Sequence, residues 1–290
     1  MYVTLEPCFH NSQNGSCADQ ILRSGINKIY ISCIDEDPRT KKKSISKLKK
    51  NKIKVITGIE KDKTISVNNF YFKSLKKKKP FTKVKMAISN DNKIAWSNYK
   101  SKWISNSKSR AYVHSLREKT QAILTTSKTI LIDNPRFTVR KKNKIIKNLN
   151  VIIIDKNLNI PLNINLLKNL HERRIIIFTS KKNNKSQKLK QLGCEIIEMK
   201  IVNNKFDLKK IFSHIYQLKI SDLMVEAGGI LFADLIKNNL VDEILLFKAP
   251  YIIGEKGVPV IEGNSLNNIK KKLLEIIKFD DNLYLKYAIK

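Results

Sequence analysis

A glutamate and two glycines, Glu226, Gly228 and Gly229, separate an apolar triplet at 223–225 from a segment with helical spacing of apolar residues. This string predicts a buried strand, a glycine turn and a helix. Without a Cβ at the turn a ligand can approach closely, and the helix N-terminus attracts anions. The string favours a phosphate-bearing cofactor, with an ordinary strand-to-helix turn as the open alternative. Glu226 would face the same crevice and could accept a hydrogen bond from a second ligand.

Two cysteines near the start of the chain are the candidate metal ligands. Cys8 and Cys17 lie on either side of a polar loop, just before a helical pattern, where a helix N-terminus favours thiolates. A catalytic zinc ion takes three protein ligands and a water molecule, and His10 is the local candidate for the third. The pair can equally be structural or idle, so both interpretations stay open.

The composition limits the class of protein. At 290 residues the chain has room for about two domains, and its hydrophobic content of 42% is sufficient for real cores. Apolar runs are strand-sized, far below the roughly 18 residues of a membrane span. The N-terminus lacks a signal-peptide pattern and the four cysteines lack a disulfide-rich pattern. We therefore expect a soluble, cytoplasmic protein that does not engage a membrane.

The net charge of +32 could indicate nucleic-acid binding. The excess is mostly lysine scattered beside abundant asparagine and isoleucine, a composition that an A+T-rich genome produces without selection for binding. Lysine runs at 41–43 and 76–79 lack interleaved aromatic residues that could stack on bases. We do not expect nucleic acid to be the main partner.

The alternation of patterns predicts two α/β regions. In residues 1–79 strands are expected at 2–4, 28–33 and 52–57, with helices at 18–24, 44–51 and 63–75. Lysines 76–79 ahead of Pro80 predict a linker. In residues 80–290 strands are expected at 84–88, 122–124, 151–155, 174–179, 195–199, 222–225, 243–248 and 283–288. Helices are expected at 108–119, 187–192 and 208–218 and after Gly229, with a loop-rich stretch over 129–140 and an antiparallel finish to a mixed sheet.

The first region resembles a zinc deaminase. Its string Tyr2-Val3-Thr4-Leu5-Glu6-Pro7-Cys8-Phe9-His10 is similar to the bifunctional riboflavin-biosynthesis family RibD, in which a deaminase is joined to a reductase. The resemblance implies zinc ligation by Cys8, Cys17 and an upstream histidine, with a neighbouring glutamate moving protons. This sequence contains no such His-x-Glu motif. We therefore expect residues 1–79 to be the C-terminal portion of a cytidine-deaminase-like domain with an incomplete zinc site.

The second region resembles the reductase half of the same family over nearly all of residues 81–290. The resemblance rests on the strings Lys85-Met86-Ala87-Ile88-Ser89-Asn90-Asp91, Ser101-Lys102-Trp103-Ile104, Leu116-Arg117, Ala122-Ile123-Leu124, Thr129, Asp133-Asn134-Pro135, Thr138-Val139-Arg140 and Val225-Glu226-Ala227-Gly228-Gly229. It implies a dihydrofolate-reductase-like α/β domain. It also implies NADPH-dependent reduction of the ribosyl group of 5-amino-6-(5-phosphoribosylamino)uracil, by hydride transfer to C1′ of the open-chain imine.

The resemblance also implies a set of contacts. The contacts with NADPH fall on Ala87, Trp103, Thr129, Asp133, Gly228, Gly229, Ile230, Leu231, Phe232, Ala233 and Asp234. A further NADPH contact falls on Lys156, where the family usually has a small polar residue. Those with the phosphorylated pyrimidine substrate fall on Ser101, Arg117, Phe137, Arg140 and Glu226. No residue is certain as proton donor, and Glu226 and Asp133 are candidates for positioning it. Asn92 replaces a family glycine, and asparagine tolerates positive φ.

Three hypotheses follow. The leading one is a reductase of riboflavin synthesis. The second is a bifunctional enzyme whose missing His-x-Glu comes from a separate chain, and a homo-oligomer is also compatible with the sequence. The third is a basic RNA-binding protein on a retained enzyme fold, which steep salt dependence of RNA binding without NADPH binding would favour.

Overall fold

The computed structural model describes residues 1–11, 15–97, 104–142, 144–262 and 269–289, and divides into two compact units, Met1–Lys79 and Pro80–Lys290. The strands of the first unit are β1 (Tyr2–Leu5), β2 (Lys28–Cys33) and β3 (Lys54–Thr57). Its helices are α1 (Cys17–Arg23), α2 (Lys43–Lys50), α3 (Lys61–Val67) and α4 (Asn69–Lys77).

The first unit is built on a parallel sheet in the order β1-β2-β3. Ile29 and Ile31 project from the same face of β2 because side chains alternate along a strand. They pack with Ile21 of α1 and Leu48 of α2 into one apolar cluster. The predicted strands and the first two helices of this unit are confirmed.

One predicted helix of the first unit is interrupted in the structure, so the prediction of a single helix is wrong. The single helix expected over residues 63–75 is two helices, α3 and α4, separated at Asn68. Asn68 has φ −104° and ψ 23°, outside the helical region, and its side-chain amide donates to the Thr64 carbonyl. Asparagine competes for backbone partners in this way and so favours helix ends.

The second unit has thirteen strands in the described part of the chain. They are β4 (Phe81–Ile88), β5 (Lys93–Ala95), β6 (Ala122–Thr126), β7 (Thr138–Lys141), β8 (Lys144–Asn148), β9 (Asn150–Ile154), β10 (Ile175–Thr179), β11 (Glu195–Glu198), β12 (Asp222–Val225), β13 (Glu243–Lys248), β14 (Val258–Pro259), β15 (Lys271–Phe279) and β16 (Asn282–Ile289). Nine form one sheet in the order β11-β10-β9-β6-β12-β4-β13-β16-β15. The seven strands from β11 to β13 are parallel, and β16 and β15 are antiparallel. The predicted mixed α/β sheet is confirmed.

Helices cover both faces of this sheet. They are α5 (Ser107–Glu118), α6 (Ser127–Asp133), α7 (Asn184–Gln191), α8 (Leu208–Gln217) and α9 (Gly229–Lys237), with a kinked 3-10 segment at Asn165–Glu172. Alternate residues of one strand enter different cores: Ile152 packs with α8 and α9, whereas Val151 and Ile153 pack with α6 and α7. Parallel strands buried on both faces produce the continuous apolar runs seen in the sequence.

The stretch expected to be loop-rich over residues 129–140 is more ordered than predicted. Residues 127–133 form α6, which Thr126 caps through its hydroxyl, and 138–141 form β7, paired with β8. The predicted helix at the glycine turn is confirmed as α9. Within the described residues, no helix is both long and apolar enough to cross a membrane.

Candidate active site

A cavity of about 1000 Å³ opens at the carboxyl ends of the parallel strands of the second unit. Ala87 of β4, Thr126 of β6, Ile154 of β9 and Glu226, which follows β12, line it. The carboxyl ends of parallel strands are where open α/β sheets bind ligands. The volume is at the upper end of the range of small-molecule sites, which suits a cofactor and a substrate together.

The glycine turn forms one wall of this cavity. Gly228 is the N-cap of α9 with φ −77°, and a Cβ built on it would meet no heavy atom within 4 Å. A Cβ on Gly229 would lie 2.8 Å from the Val260 carbonyl oxygen and 2.9 Å from that of Pro259. Neither glycine has a positive φ. Gly229 is therefore required for space rather than for backbone freedom, whereas Gly228 leaves the helix N-terminus open to an anion.

Three charged side chains form a buried cluster on the cavity wall. Arg117 of α5 makes a bidentate pair with Glu226: Nε donates to Oε1 at 2.7 Å and Nη2 to Oε2 at 2.9 Å. Lys85 Nζ lies 3.8 Å from Glu226 Oε2, and all three side chains are less than 20% exposed. Burial favours the neutral acid, but the charges of Arg117 and Lys85 outweigh it and lower the pKa of Glu226 to about 2. Glu226 is therefore ionised at neutral pH.

Phe137, His114 and Arg140 surround this cluster. Phe137 is buried with φ 44°, and the Arg117 guanidinium lies 5.6 Å from the centre of its ring. The amide N–H of Arg140 donates to His114 Nδ1 at 3.2 Å, so the imidazole of α5 holds β7 in place. Burial, together with the charge of Arg117, lowers the pKa of His114 and keeps its ring neutral at pH 7. Arginines and an aromatic ring together suit a phosphorylated, planar ligand.

The structure brings most of the predicted cofactor-side residues to the same cavity. Ala87, Thr129, Asp133, Lys156, Gly228, Gly229, Ile230, Leu231 and Asp234 line it. Phe232 and Ala233 do not: both are buried, and Phe232 packs in the core around α8 and α9. Successive residues of a helix point in different directions, which separates these two from their neighbours. Ser101 and Trp103, predicted as substrate and cofactor contacts, lie outside the described residues.

The cysteine pair of the first unit is close but incomplete as a metal site. The amide N–H of Cys17 donates to Cys8 Sγ at 3.2 Å. A hydrogen bond between the two thiol side chains, together with burial, raises the pKa of the Cys17 thiol. His10 Nδ1 instead lies 3.3 Å from the Thr40 hydroxyl. Among the described residues, no three or more His, Cys, Asp or Glu side chains could hold a metal together. The interpretation of His10 as a third ligand is wrong, and these residues do not fit a complete zinc site.

The chain is similar in sequence to proteins of one known family. A family profile for the RibD C-terminal domain matches residues 80–285. The riboflavin biosynthesis protein RibD of Aquifex aeolicus is 34% identical over 283 residues, covering 94% of this chain and 76% of that protein. The chain belongs to the RibD family. The resemblance expected from the sequence strings is thus confirmed.

Solved structures of RibD proteins have the same fold as this chain. Acinetobacter baumannii RibD has a TM-score of 0.88 at 26% identity, covering 100% of this chain and 80% of that one. The diaminohydroxyphosphoribosylaminopyrimidine deaminase/5-amino-6-(5-phosphoribosylamino)uracil reductase of Thermotoga maritima has a TM-score of 0.81 at 25% identity, covering 100% and 79%. This RibD-family chain therefore has the fold of those proteins across both units.

One departure from the RibD pattern is explained by the structure. Asn92 has φ 60°, so asparagine supports the positive φ expected where the family has glycine. The turn is further held by Asp91, whose carboxylate accepts from the amides of Ile253 and Gly254 at 3.1 and 2.8 Å. Hydrogen bonds from the Ser89 hydroxyl and these amides lower the pKa of Asp91 to about 2. Asp91 is thus a structural residue of the loop.

Two cavity residues were missed by sequence reasoning. Lys85 alternates with apolar residues along β4, a pattern typical of a side chain that faces solvent, and His114 is a single histidine within the helical pattern of α5. A signal for Lys85 did exist: a lysine in a strand with parallel neighbours on both sides needs an acidic partner. Asp222 and Glu226, at the two ends of β12, are those partners, for Lys83 and Lys85 respectively.

Proposed function

We propose that residues 80–290 reduce 5-amino-6-(5-phosphoribosylamino)uracil to its ribitylamino product with NADPH. The observation that carries this proposal is the combination, in one cavity, of an open glycine turn at a helix N-terminus with the buried Lys85–Glu226–Arg117 cluster. Membership of the RibD family supports it, as does the name of the Thermotoga maritima protein.

The wall around α9 fits the reduced dinucleotide. Gly228 leaves space next to the helix N-terminus, where backbone N–H groups suit the cofactor's pyrophosphate. Thr129 and Asp133 of α6 and Ala87 of β4 line the same cavity and would orient the cofactor. When bound, NADPH supplies the hydride, and the protein supplies position and electrostatics.

The charged cluster suits the polar substrate. Because Glu226 is ionised, it would accept hydrogen bonds from the substrate and hold a positive charge that develops nearby, rather than donate a proton. Lys85 Nζ provides a donor at the same wall. Arg140 of β7 lines the cavity and would contact the substrate phosphate, while Phe137 would pack against the planar base.

The direct test is loss of reduced-nicotinamide absorbance with purified protein, NADPH and the phosphoribosylamino-uracil. Arg117→Ala should raise the KM for the uracil substrate roughly 10- to 100-fold, the range of a lost charge-assisted hydrogen bond, and change the KM for NADPH much less. Arg174→Ala is the matched control, because Arg174 makes the same bidentate geometry with Glu195, at 2.7 and 2.9 Å, outside the cavity. An equal rise in both KM values would contradict the proposed role of Arg117.

A second candidate function is favoured by the proximity of Cys8 and Cys17. In it, a separate polypeptide carrying His-x-Glu completes a zinc site with these two thiols, and the assembly also deaminates. Zinc content and deaminase activity of the purified chain, alone and mixed with such a polypeptide, distinguish the two candidates. Zinc and deamination that appear only in the mixture support the second one; their absence from both leaves the reductase alone.

A further inference from the structure

A tight turn at residues 202–205 contributes Lys205 to the lining of the cavity. Asn203 and Asn204 have φ values of 48° and 61°, and Val202 and Lys205 exchange backbone hydrogen bonds at 2.9 and 3.0 Å. Two central residues with positive φ define the type I′ turn, which suits asparagine. The turn is short and internally bonded, so it presents the Lys205 side chain from a defined position.

Two lysines of the cavity meet at this turn. Lys156, two residues after the end of β9, donates from Nζ to the Asn204 side-chain oxygen at 2.7 Å and to its carbonyl at 3.1 Å. Lys205 Nζ lies 3.3 Å from both carboxylate oxygens of Asp234 in α9. Lys156, Lys205 and Asp234 all line the cavity. The backbone of Lys156 is itself fixed, because its carbonyl accepts from the amide and the hydroxyl of Ser180.

Both lysines line the cavity beside this turn, apart from the helix N-terminus. Asp234 lies six residues beyond Gly228, which corresponds to roughly 9 Å along the helix at 1.5 Å per residue. The buried cluster of Lys85, Glu226 and Arg117 is before the N-terminus of the same helix. A ligand that spans this wall would therefore meet an anion site at the N-terminus and another at the lysines.

The present partners of both lysines are easily exchanged. The Lys205–Asp234 pair is long and Lys205 is 64% exposed, a type of ion pair that contributes little to stability. The Lys156 ammonium donates two of its three N–H groups to neutral oxygens of Asn204, so the third can donate to a ligand. A phosphate with close to two negative charges would attract both ammonium groups more strongly than these partners do.

We propose that Lys156 and Lys205 together bind the 2′-phosphate that distinguishes NADPH from NADH, and so make this cavity selective for the phosphorylated dinucleotide. The inference rests on the proposed reductase function and adds the residues that choose its cofactor. Lys205 moves from Asp234 to the phosphate on binding, while Lys156 keeps the turn in place through Asn204.

The test measures binding of NADPH, NADH and adenosine 2′,5′-bisphosphate to the full chain without substrate. Lys205→Ala and Lys156→Ala should each weaken NADPH and the bisphosphate about 10-fold and leave NADH within a factor of two. Lys188→Ala, an exposed lysine of α7 outside the cavity, is the matched control and should change none of the three. The preference for NADPH in the wild type should shrink as salt is raised, because the site is exposed.

The outcomes separate this inference from the function on which it rests. Tight NADPH binding that both lysine variants retain overturns the 2′-phosphate site and leaves the reductase standing. Equal weakening of NADPH and NADH shows a structural role for the lysines and also overturns it. Failure of the wild type to bind either dinucleotide overturns both. Lys156→Arg, which keeps the charge, should retain at least half of the preference.

Discussion

Two buried carboxylates, Asp35 in the first unit and Glu226 in the second, have opposite surroundings. In the first unit Asp35 is 6% exposed and accepts hydrogen bonds from the Tyr71 hydroxyl and the Asp37 amide, both at 2.9 Å. Burial, together with the negative charges of Asp37 and Glu6, raises the pKa of Asp35. In the second unit, the cations Arg117 and Lys85 overcome burial and lower the pKa of Glu226 to about 2.

The partners explain the difference and what each acid does. Asp35 and Glu6 of the first unit bind backbone amides and hydroxyls: Glu6 accepts from the amides of Asp35 and Lys42 and from the Ser44 hydroxyl, at 2.7 to 3.2 Å. Their hydrogen bonds close a loop. Glu226 binds side chains on the wall of a cavity, where a ligand can share its charge. Burial of a carboxylate thus marks a site only when its partners also face open space.

The largest expected effect comes from removing the acid that faces the cavity. Glu226→Ala leaves Arg117 and Lys85 buried without their counter-ion, and loss of one partner of a buried pair costs about 3–5 kcal/mol. We expect that loss in the free energy of unfolding, and a fall in reductase kcat/KM of roughly 100-fold or more. Denaturant unfolding and steady-state kinetics measure the two quantities.

Glu195→Ala is the control for that change, because its pair with Arg174 has the same geometry but side chains more than 40% exposed. It should cost under about 1 kcal/mol and leave kcat/KM unchanged. Similar losses of stability and of kcat/KM in both variants would show that the position of Glu226 in the cavity has no special effect. That result would contradict the contrast with Asp35. Glu226→Gln, which keeps the shape, checks that lost activity is not lost folding.

Removal of Glu6 should have the converse result. Glu6→Ala leaves the buried donors of the 35–45 loop without an acceptor, at about 1–3 kcal/mol for each unsatisfied group. We expect rapid proteolysis within residues 1–79 and normal NADPH-dependent activity from the second unit. Limited proteolysis with mass analysis, run beside the kinetic assay, decides this. A drop in kcat/KM comparable to that of Glu226→Ala would mean that the first-unit acid also serves the reaction.

The two glycines of the cavity wall offer a smaller contrast within the second unit. Gly229→Ala places a Cβ against two carbonyl oxygens and should lower the free energy of unfolding by about 1–3 kcal/mol. Gly228→Ala meets open space, so stability should hold while the new methyl group obstructs the helix N-terminus and weakens NADPH about 10-fold. Thermal unfolding and NADPH titration of both variants measure these effects. Unchanged NADPH affinity in Gly228→Ala would place the cofactor elsewhere.

The sequence predicted the sheet of the second unit well, for a physical reason. Runs such as Ile175 to Phe178 are apolar throughout because the strand is buried on both faces. Helix α6 was missed because three of its seven residues are β-branched and its start depends on a hydroxyl cap from Thr126. Antiparallel β15 was missed because most of its residues are exposed, which removes the apolar alternation of a half-buried strand.

The candidate site was predictable where a local string carries the chemistry, as at Glu226 and Gly228. It was not predictable where the chemistry depends on residues far apart in the chain. The resemblance implies that Arg117 contacts the phosphorylated substrate, and nothing in its own segment shows that Glu226, 109 positions away, already accepts from two of its donors. The role of Lys85 depends on the same partner, so both residues are defined by the sheet that brings β4, β12 and α5 together.

The smallest expected effect comes from Asp35→Asn, which tests whether the ionised Asp35 carboxylate destabilises the first unit. A raised pKa means that folded protein binds the Asp35 proton more tightly than the unfolded chain does, so its ionised form destabilises the first unit at neutral pH. Asp35→Asn keeps an oxygen that can accept from Tyr71 and Asp37, and should stabilise the unit at pH 7 by under about 1 kcal/mol. That advantage should disappear as the pH falls through the folded pKa toward the ordinary value of 3.8.

The pH dependence of stability has the opposite sign for Glu226, whose pKa is lowered by folding. Its ionised form stabilises the second unit above pH 4.5, and this stabilisation is lost as the pH falls toward about 2. Hydrogen exchange of the β2 amides in wild type and Asp35→Asn, at pH 7 and under acid, measures the first trend. If the variant is instead less stable at pH 7, the hydrogen bonds that the ionised Asp35 accepts outweigh the cost of burying its charge, and the contrast between Asp35 and Glu226 fails.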